Sequence, residues 1–226
     1  MNNEGPKSRI RLRFARLAPA KDLSHLEQIK ALRGRAGASG LGFWPVKAGS
    51  GAVPKMAFGP AVSVGHESLC EYADLYLEEF AREEEAAEKL RPLDDERFAL
   101  LSARRIPVFF PSIEAAVNAA EYFLEAAFPA GFSQAKVDAF MALESAPWEK
   151  VKPSGERKTL DARAPVLAAS FDPGASLLKL TLKLEPGRNI KPETAAELMA
   201  GGRPDFRRIV RKELYWFDSS GKLEVF

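Results

Sequence analysis

At 226 residues the chain is long enough for one large domain or two small ones, and its 46% hydrophobic and 28% charged residues are ordinary for a globular protein. No apolar run approaches the ~20 residues of a membrane helix, and the polar start Met1-Asn2-Asn3-Glu4 lacks the apolar core of a secretory signal. A single cysteine, Cys70, and two histidines, His25 and His66, argue against a disulfide framework or a Cys/His metal site, so a cytoplasmic protein without a cofactor is expected.

The formal net charge of +2 conceals a segregation. Residues 1–60 hold eleven Lys/Arg against Glu4, Asp22 and Glu27, whereas residues 61–100 hold twelve Asp/Glu against four basic residues. Basic and acidic surfaces are therefore expected on different elements.

In chain order, Arg9 to Phe14 alternates charged and apolar residues and predicts a strand within residues 8–17. Ser24 and Glu27 form a capping box that opens a helix with Leu26, Ile29, Leu32 and Ala36 on one face, closed by Gly37 and Gly40. A short strand at Gly42 to Val46 leads into a glycine-containing loop, Lys47 to Lys55, followed by extended segments at Met56 to Val64 and Leu69 to Leu77. An acidic helix over Glu83 to Leu90 and an extended Arg97 to Val108 complete a strand–helix–strand–strand–helix–strand order. The second half repeats it. Tyr122 to Phe128 reads as a strand, Ser133 caps a helix, and Trp148 to Val151 is extended. Lys158 to Phe171 and Ala175 to Leu184 read as a hairpin about Asp172-Pro173-Gly174. Pro192 and Gly201 frame a helix, and Phe206 to Phe217 closes the unit. This order predicts an α+β protein of two tandem ferredoxin-like units with antiparallel sheets, residues 1–110 and 111–226, divided near Pro107 to Pro111 and joined by a helix over Ser112 to Ala120.

Strand alternation sends Ile10, Leu12 and Phe14 to the core and Arg9, Arg11 and Arg13 to the opposite face. An open basic face, extended by Lys47 and Lys55 of the loop, suits the phosphates of RNA. The competing expectation is that the arginines pair with acids such as Glu71 and Asp74 on a neighbouring strand. Arg207, Arg208, Arg211 and Lys212 cannot all share a strand face and extend the basic surface only in part.

Several segments resemble the bacterial radical-SAM-linked family, a domain of unknown function found alone or fused to B12-binding radical SAM proteins. They are Leu23 to Glu27, Pro54 to Ala61, Gly65 with Glu67-Ser68 and Glu71 to Leu75, Arg157 to Arg163, Ile190 to Glu193 and Arg208 to Tyr215, so the resemblance spans nearly the whole chain. It departs where that family reads Gly-Phe-Asn-Pro-His-Pro-Lys; here Gly49 to Lys55 keeps only the closing Pro54-Lys55. The resemblance implies association with a separate radical SAM enzyme, since this chain has no Cys-x-x-x-Cys-x-x-Cys motif.

Three readings of function result. The first is a non-catalytic accessory module that binds RNA or a substrate-bearing protein. The second is a metal-independent endoribonuclease in which His25, at a helix start where the dipole favours a neutral imidazole, moves a proton beside Arg9, Arg11 or Lys55. The third is a protein-binding adaptor. Asp94 and Asp95 lack a neighbouring histidine and carry no hydrolytic reading, His66 reads as a surface or hairpin residue and Cys70 as a buried one, and the Glu83 to Glu88 run is a solvated helix face or a dock for a basic partner.

Overall fold

The alternating segment at the start of the chain forms a nine-residue strand, Ser8–Arg16 (β1), and the rest of its unit is arranged around it. The computed structural model describes residues 5–49, 51–91, 95–151 and 155–226. The chain divides into two units, Met1–Val117 and Asn118–Phe226. Pro107 to Pro111, expected as the boundary, thus belongs to the first unit. The chain is a mixed α+β protein dominated by antiparallel sheet, and among the described residues no helix is long and apolar enough to cross a membrane.

In the first unit β1 is followed by α1 (His25–Ala38), the short strands β2 (Pro45–Ala48), β3 (Gly51–Pro54) and β4 (Met56–Phe58), then β5 (Glu67–Leu77), α2 (Glu83–Lys89), β6 (Phe98–Ile106) and the four-residue helix α3 (Ile113–Ala116). The sheet runs β4-β5-β1-β6, antiparallel throughout. Ile10, Leu12 and Phe14 are buried with Leu32 and Ala36 of α1, Leu75 and Leu77 of β5, and Phe98 of β6. The capping box forms as the sequence predicts: Ser24 Oγ accepts from Glu27 N at 3.3 Å, and Glu27 Oε2 accepts from Ser24 N at 2.7 Å. The expected Lys47 to Lys55 loop is in fact mostly hairpin, β2 paired with β3, while Ser50 at its turn lies outside the described residues. The expected connecting helix over Ser112 to Ala120 shrinks to α3, because Ala119 already enters the next strand.

The second unit comprises β7 (Ala119–Ala127), α4 (Gln134–Met141), β8 (Pro147–Val151), β9 (Arg157–Asp161), β10 (Val166–Asp172), β11 (Leu177–Lys183), α5 (Pro192–Ala200), β12 (Asp205–Phe217) and β13 (Leu223–Val225). Its sheet runs β10-β11-β7-β12-β13, while β8 and β9 form a separate hairpin. One expected strand, Lys158 to Phe171, is therefore two strands in different sheets. Asp161 breaks it: its carboxylate accepts backbone N–H groups of Ala146 at 2.8 Å and Arg163 at 2.9 Å, turning the chain out of β9. Those backbone donors, Ala146 first, hold the Asp161 carboxyl below the usual carboxylate range. Gly201 ends α5 at φ 66°, a left-handed conformation that favours glycine.

Asp95 ties α1 to the entrance of β6. It takes an ion pair from Arg35 and accepts backbone N–H groups of Arg97 at 2.7 Å and Phe98 at 2.9 Å. Arg35 foremost holds its carboxyl well below the usual range. A depressed folded-state pKa stabilises the protein above the ordinary carboxylate value, and that stabilisation is lost as pH falls. Asp95→Asn is expected to destabilise the protein at pH 7 by about 1–2 kcal/mol and to flatten the fall in stability below about pH 4, both read from urea unfolding across pH.

Candidate functional site

β1 puts Arg9, Arg11 and Arg13 on the face opposite Ile10, Leu12 and Phe14, but that face is not open. Asp74 of β5, directly across from Arg11 and fully buried, draws two of the three guanidinium groups onto one carboxylate. Arg11 donates from Nε to Oδ1 at 2.8 Å and from Nη2 to Oδ2 at 3.1 Å. Arg9 donates from Nε to Oδ2 at 3.0 Å, and its Nη2 closes on the same oxygen. The remaining Arg9 donors meet the carbonyls of Phe110 at 2.6 Å and Pro111 at 3.0 Å, with Val108 at 3.4 Å. Arg9 is consequently 1% exposed, and a phosphate could reach it only by displacing the carboxylate. The expected open row is corrected on this point, because an unpaired buried Asp74 would carry a desolvation cost of several kcal/mol.

The other predicted residues take separate places. Arg13 lies over the ring of Tyr72 at 5.9 Å. Lys55 sits over Tyr76 at 4.6 Å, and Arg9 faces the same ring at 5.2 Å, so Arg9, Arg11 and Lys55 are gathered around Asp74 and Tyr76. Lys55 is fixed there by its backbone, donating to Trp44 O at 2.8 Å and accepting from Tyr76 N at 3.1 Å. Lys47 is exposed on β2. His25 is the first residue of α1, as its position after Ser24 predicts, and its half-buried ring meets Phe58 edge-on at 6.3 Å. Glu71, the other acid expected to receive an arginine, is buried on β5 and accepts from Gln28 Nε2 at 3.4 Å. His66, expected at a surface or hairpin position, follows the turn at Val64-Gly65 that leads into β5 and is 2% exposed. Cys70 is buried as expected, and Asp94 lies outside the described residues. Among the described residues no group of three His, Cys, Asp or Glu is arranged to hold a metal ion.

A basic and aromatic surface of a different kind stands on the second unit. Tyr122, Leu124 and Ala126 of β7 and Leu178, Leu180 and Leu182 of β11 are buried on one face, in the layer where α5 touches both strands. Alternation places Glu121, Phe123 and Glu125 with Lys179 and Lys183 on the other. There Phe123 is half-buried, with Lys179 Nζ 5.1 Å and Lys212 Nζ 5.2 Å from its ring centroid. Lys183 stands 5.1 Å from the ring of Phe217 on the same sheet. The alternation in β7 was visible in the sequence, but the lysines at Phe123 come from strands 56 and 89 positions away. Only pairing reveals them.

Removing one partner of a buried ion pair is more damaging than replacing the pair. Asp74→Ala is expected to cost about 3–5 kcal/mol, seen as a lower urea midpoint. An Arg9→Met/Arg11→Met/Asp74→Leu variant should recover most of that loss.

Among solved structures the chain is similar to one from the "Crystal Structure of a Cbf5-Nop10-Gar1 Complex", at 8% identity and a TM-score of 0.45, covering 89% of this chain and 48% of that one. The chain therefore spans about half the length of that relative. No curated protein matches it. A family profile described as "Uncharacterized protein conserved in bacteria (DUF2344)" matches residues 9–192, from the first arginine of β1 to the first residue of α5, and over this span the chain belongs to that bacterial family.

Proposed function

We propose that the chain is a non-catalytic accessory module, built of two ferredoxin-like units in tandem, that binds RNA in the cytoplasm on behalf of a separate radical SAM enzyme. The strand orders support the two units. In the first, β1 is central with β5 and β6 beside it and β4 at the edge; in the second, β7 takes the central place with β11 and β12 beside it and β10 outside. Both arrangements are what a split βαβ repeat generates. The radical SAM association rests on the resemblance of the segments from Leu23 to Tyr215, and the single cysteine of this chain assigns any iron–sulfur cluster to the other protein.

The observation that carries RNA binding is the Lys179–Phe123–Lys212 cluster on the face of β7 and β11 opposite the buried leucines that meet α5. An aromatic ring on a central strand offers a stacking surface for a base, and ammonium groups beside it meet the flanking phosphates. Lys183 extends the charge along β11. Glu121, Glu125 and Glu213 stand on the same strands and keep the surface from being a general polyanion sink.

Binding of purified protein to a tRNA pool and to mixed cellular RNA at two salt concentrations tests the reading. Phe123→Ala is expected to weaken binding by about 1–3 kcal/mol, and Lys179→Ala/Lys212→Ala to reduce the slope of log affinity against log salt by about 2. Arg9→Met/Arg11→Met/Asp74→Leu, which removes the buried cluster, should leave affinity unchanged. No binding at low salt, or binding indifferent to Phe123 and both lysines, would remove RNA from the proposal.

A further inference from the structure

We infer that the groove between α2 and the outer edge of β6 accepts an extended peptide of a partner protein, with basic residues at every second position, as an added strand. This inference is independent of the RNA reading, for it uses the other unit and the opposite charge.

β6 ends the sheet of its unit, with β1 on one side. Along its other side runs a groove of about 590 Å3. One wall is Glu84, Ala87 and Glu88 of α2, at the three- and four-residue spacing that puts side chains on one helical face, with Arg91 just beyond the helix. The floor and opposite wall are Leu100 to Ala103 of β6, where Leu101 is 51% exposed. A strand edge beside a helix is the setting in which proteins add a peptide strand, backbone groups giving affinity and alternate side chains giving specificity.

The backbone of β6 already shows which way its outer groups point. Arg105 N donates to the Glu83 carboxylate at 2.9 Å, so this amide faces α2 rather than β1. In an antiparallel ladder alternate residues share that direction, which turns the N–H and C=O of Ala103 the same way. Glu83 thus supplies at one end of the edge the acceptor that a peptide carbonyl would supply farther along.

Charge selects the occupant. Glu85 is engaged by Lys89 at 2.8 Å, whereas among the described residues neither Glu84 nor Glu88 has an ion-pair partner. Two carboxylates against one cation, Arg91, leave the groove acidic, which attracts Lys or Arg side chains projecting toward α2 from every second peptide position. Leu101, exposed beside that wall, would pack on the aliphatic stems of those side chains, and the positions between would point to the opposite face of the sheet. A second copy of this chain fits less well, since pairing β6 with β6 would bring Arg104 and Arg105 of each copy to one edge.

The test uses the full chain labelled with 15N and a nine-residue peptide alternating Lys and Val, with a Glu/Val peptide and a block-ordered Lys/Val peptide as controls. Saturable shifts of the Leu101 to Ala103 and α2 amides with the alternating basic peptide alone are expected. Glu84→Lys/Glu88→Lys should weaken binding by about tenfold or more. Ala103→Pro, which removes an outward donor that β1 does not use, should weaken it while leaving the rest of the spectrum native. Equal binding of the block-ordered or acidic peptide, shifts confined to other elements, no binding at millimolar peptide, or a sedimentation-detected dimer that protects the β6 amides would each overturn the inference.

Discussion

The first unit is built around one carboxylate that has no access to water. Asp74 sits in the middle of β5, and its charge is tolerated because Arg9 and Arg11 reach it from the adjacent strand with four donors. The same need governs Arg9, whose remaining N–H groups take the carbonyls after β6 and so fix the path of residues 108–111. A strand pair and the segment leaving the unit are thereby set by a single ionic cluster. Such a cluster adds little net stability compared with apolar packing of the same volume, but it penalises any register that separates its members.

This cluster also explains why similar sheet faces behave differently in the two units. On the first, the basic residues meet an acid buried among them and the tyrosines of β5: Tyr72 faces Arg13 and Tyr76 faces Lys55. On the second, the acids of β7 flank Phe123 rather than sit beneath it, and Lys179 is exposed above the ring. A lysine held by cation–π attraction is more readily given up to a phosphate than an arginine bonded twice to a buried carboxylate, because the first is worth about 1 kcal/mol at an exposed site and the second several times that.

The acidic stretch from residue 61 to residue 100 separates into three roles once folded. Asp74 neutralises β1 from inside, Asp95 anchors α1 through Arg35, and Glu84 and Glu88 face the groove beside β6. The apparent charge dipole of the sequence is therefore partly consumed in the interior. What remains at the surface lies mainly on α2.

The sequence by itself determined the local features whose physics is short-ranged. The period of two in Arg9 to Phe14, the Ser24 and Glu27 capping box, and the frame of Pro192 and Gly201 around α5 each involve residues within one turn or one strand, and each is found in place. The α+β class followed from the same signals. Tertiary structure decided everything that depends on which strand lies beside which: that Asp74 rather than solvent faces Arg9 and Arg11, that Asp161 breaks the expected strand at residue 161, and that Lys179 and Lys212 converge on Phe123. A strand specifies the alternation of its side chains, but the charges and rings they meet are set by register with strands remote in sequence, and no local periodicity encodes that register.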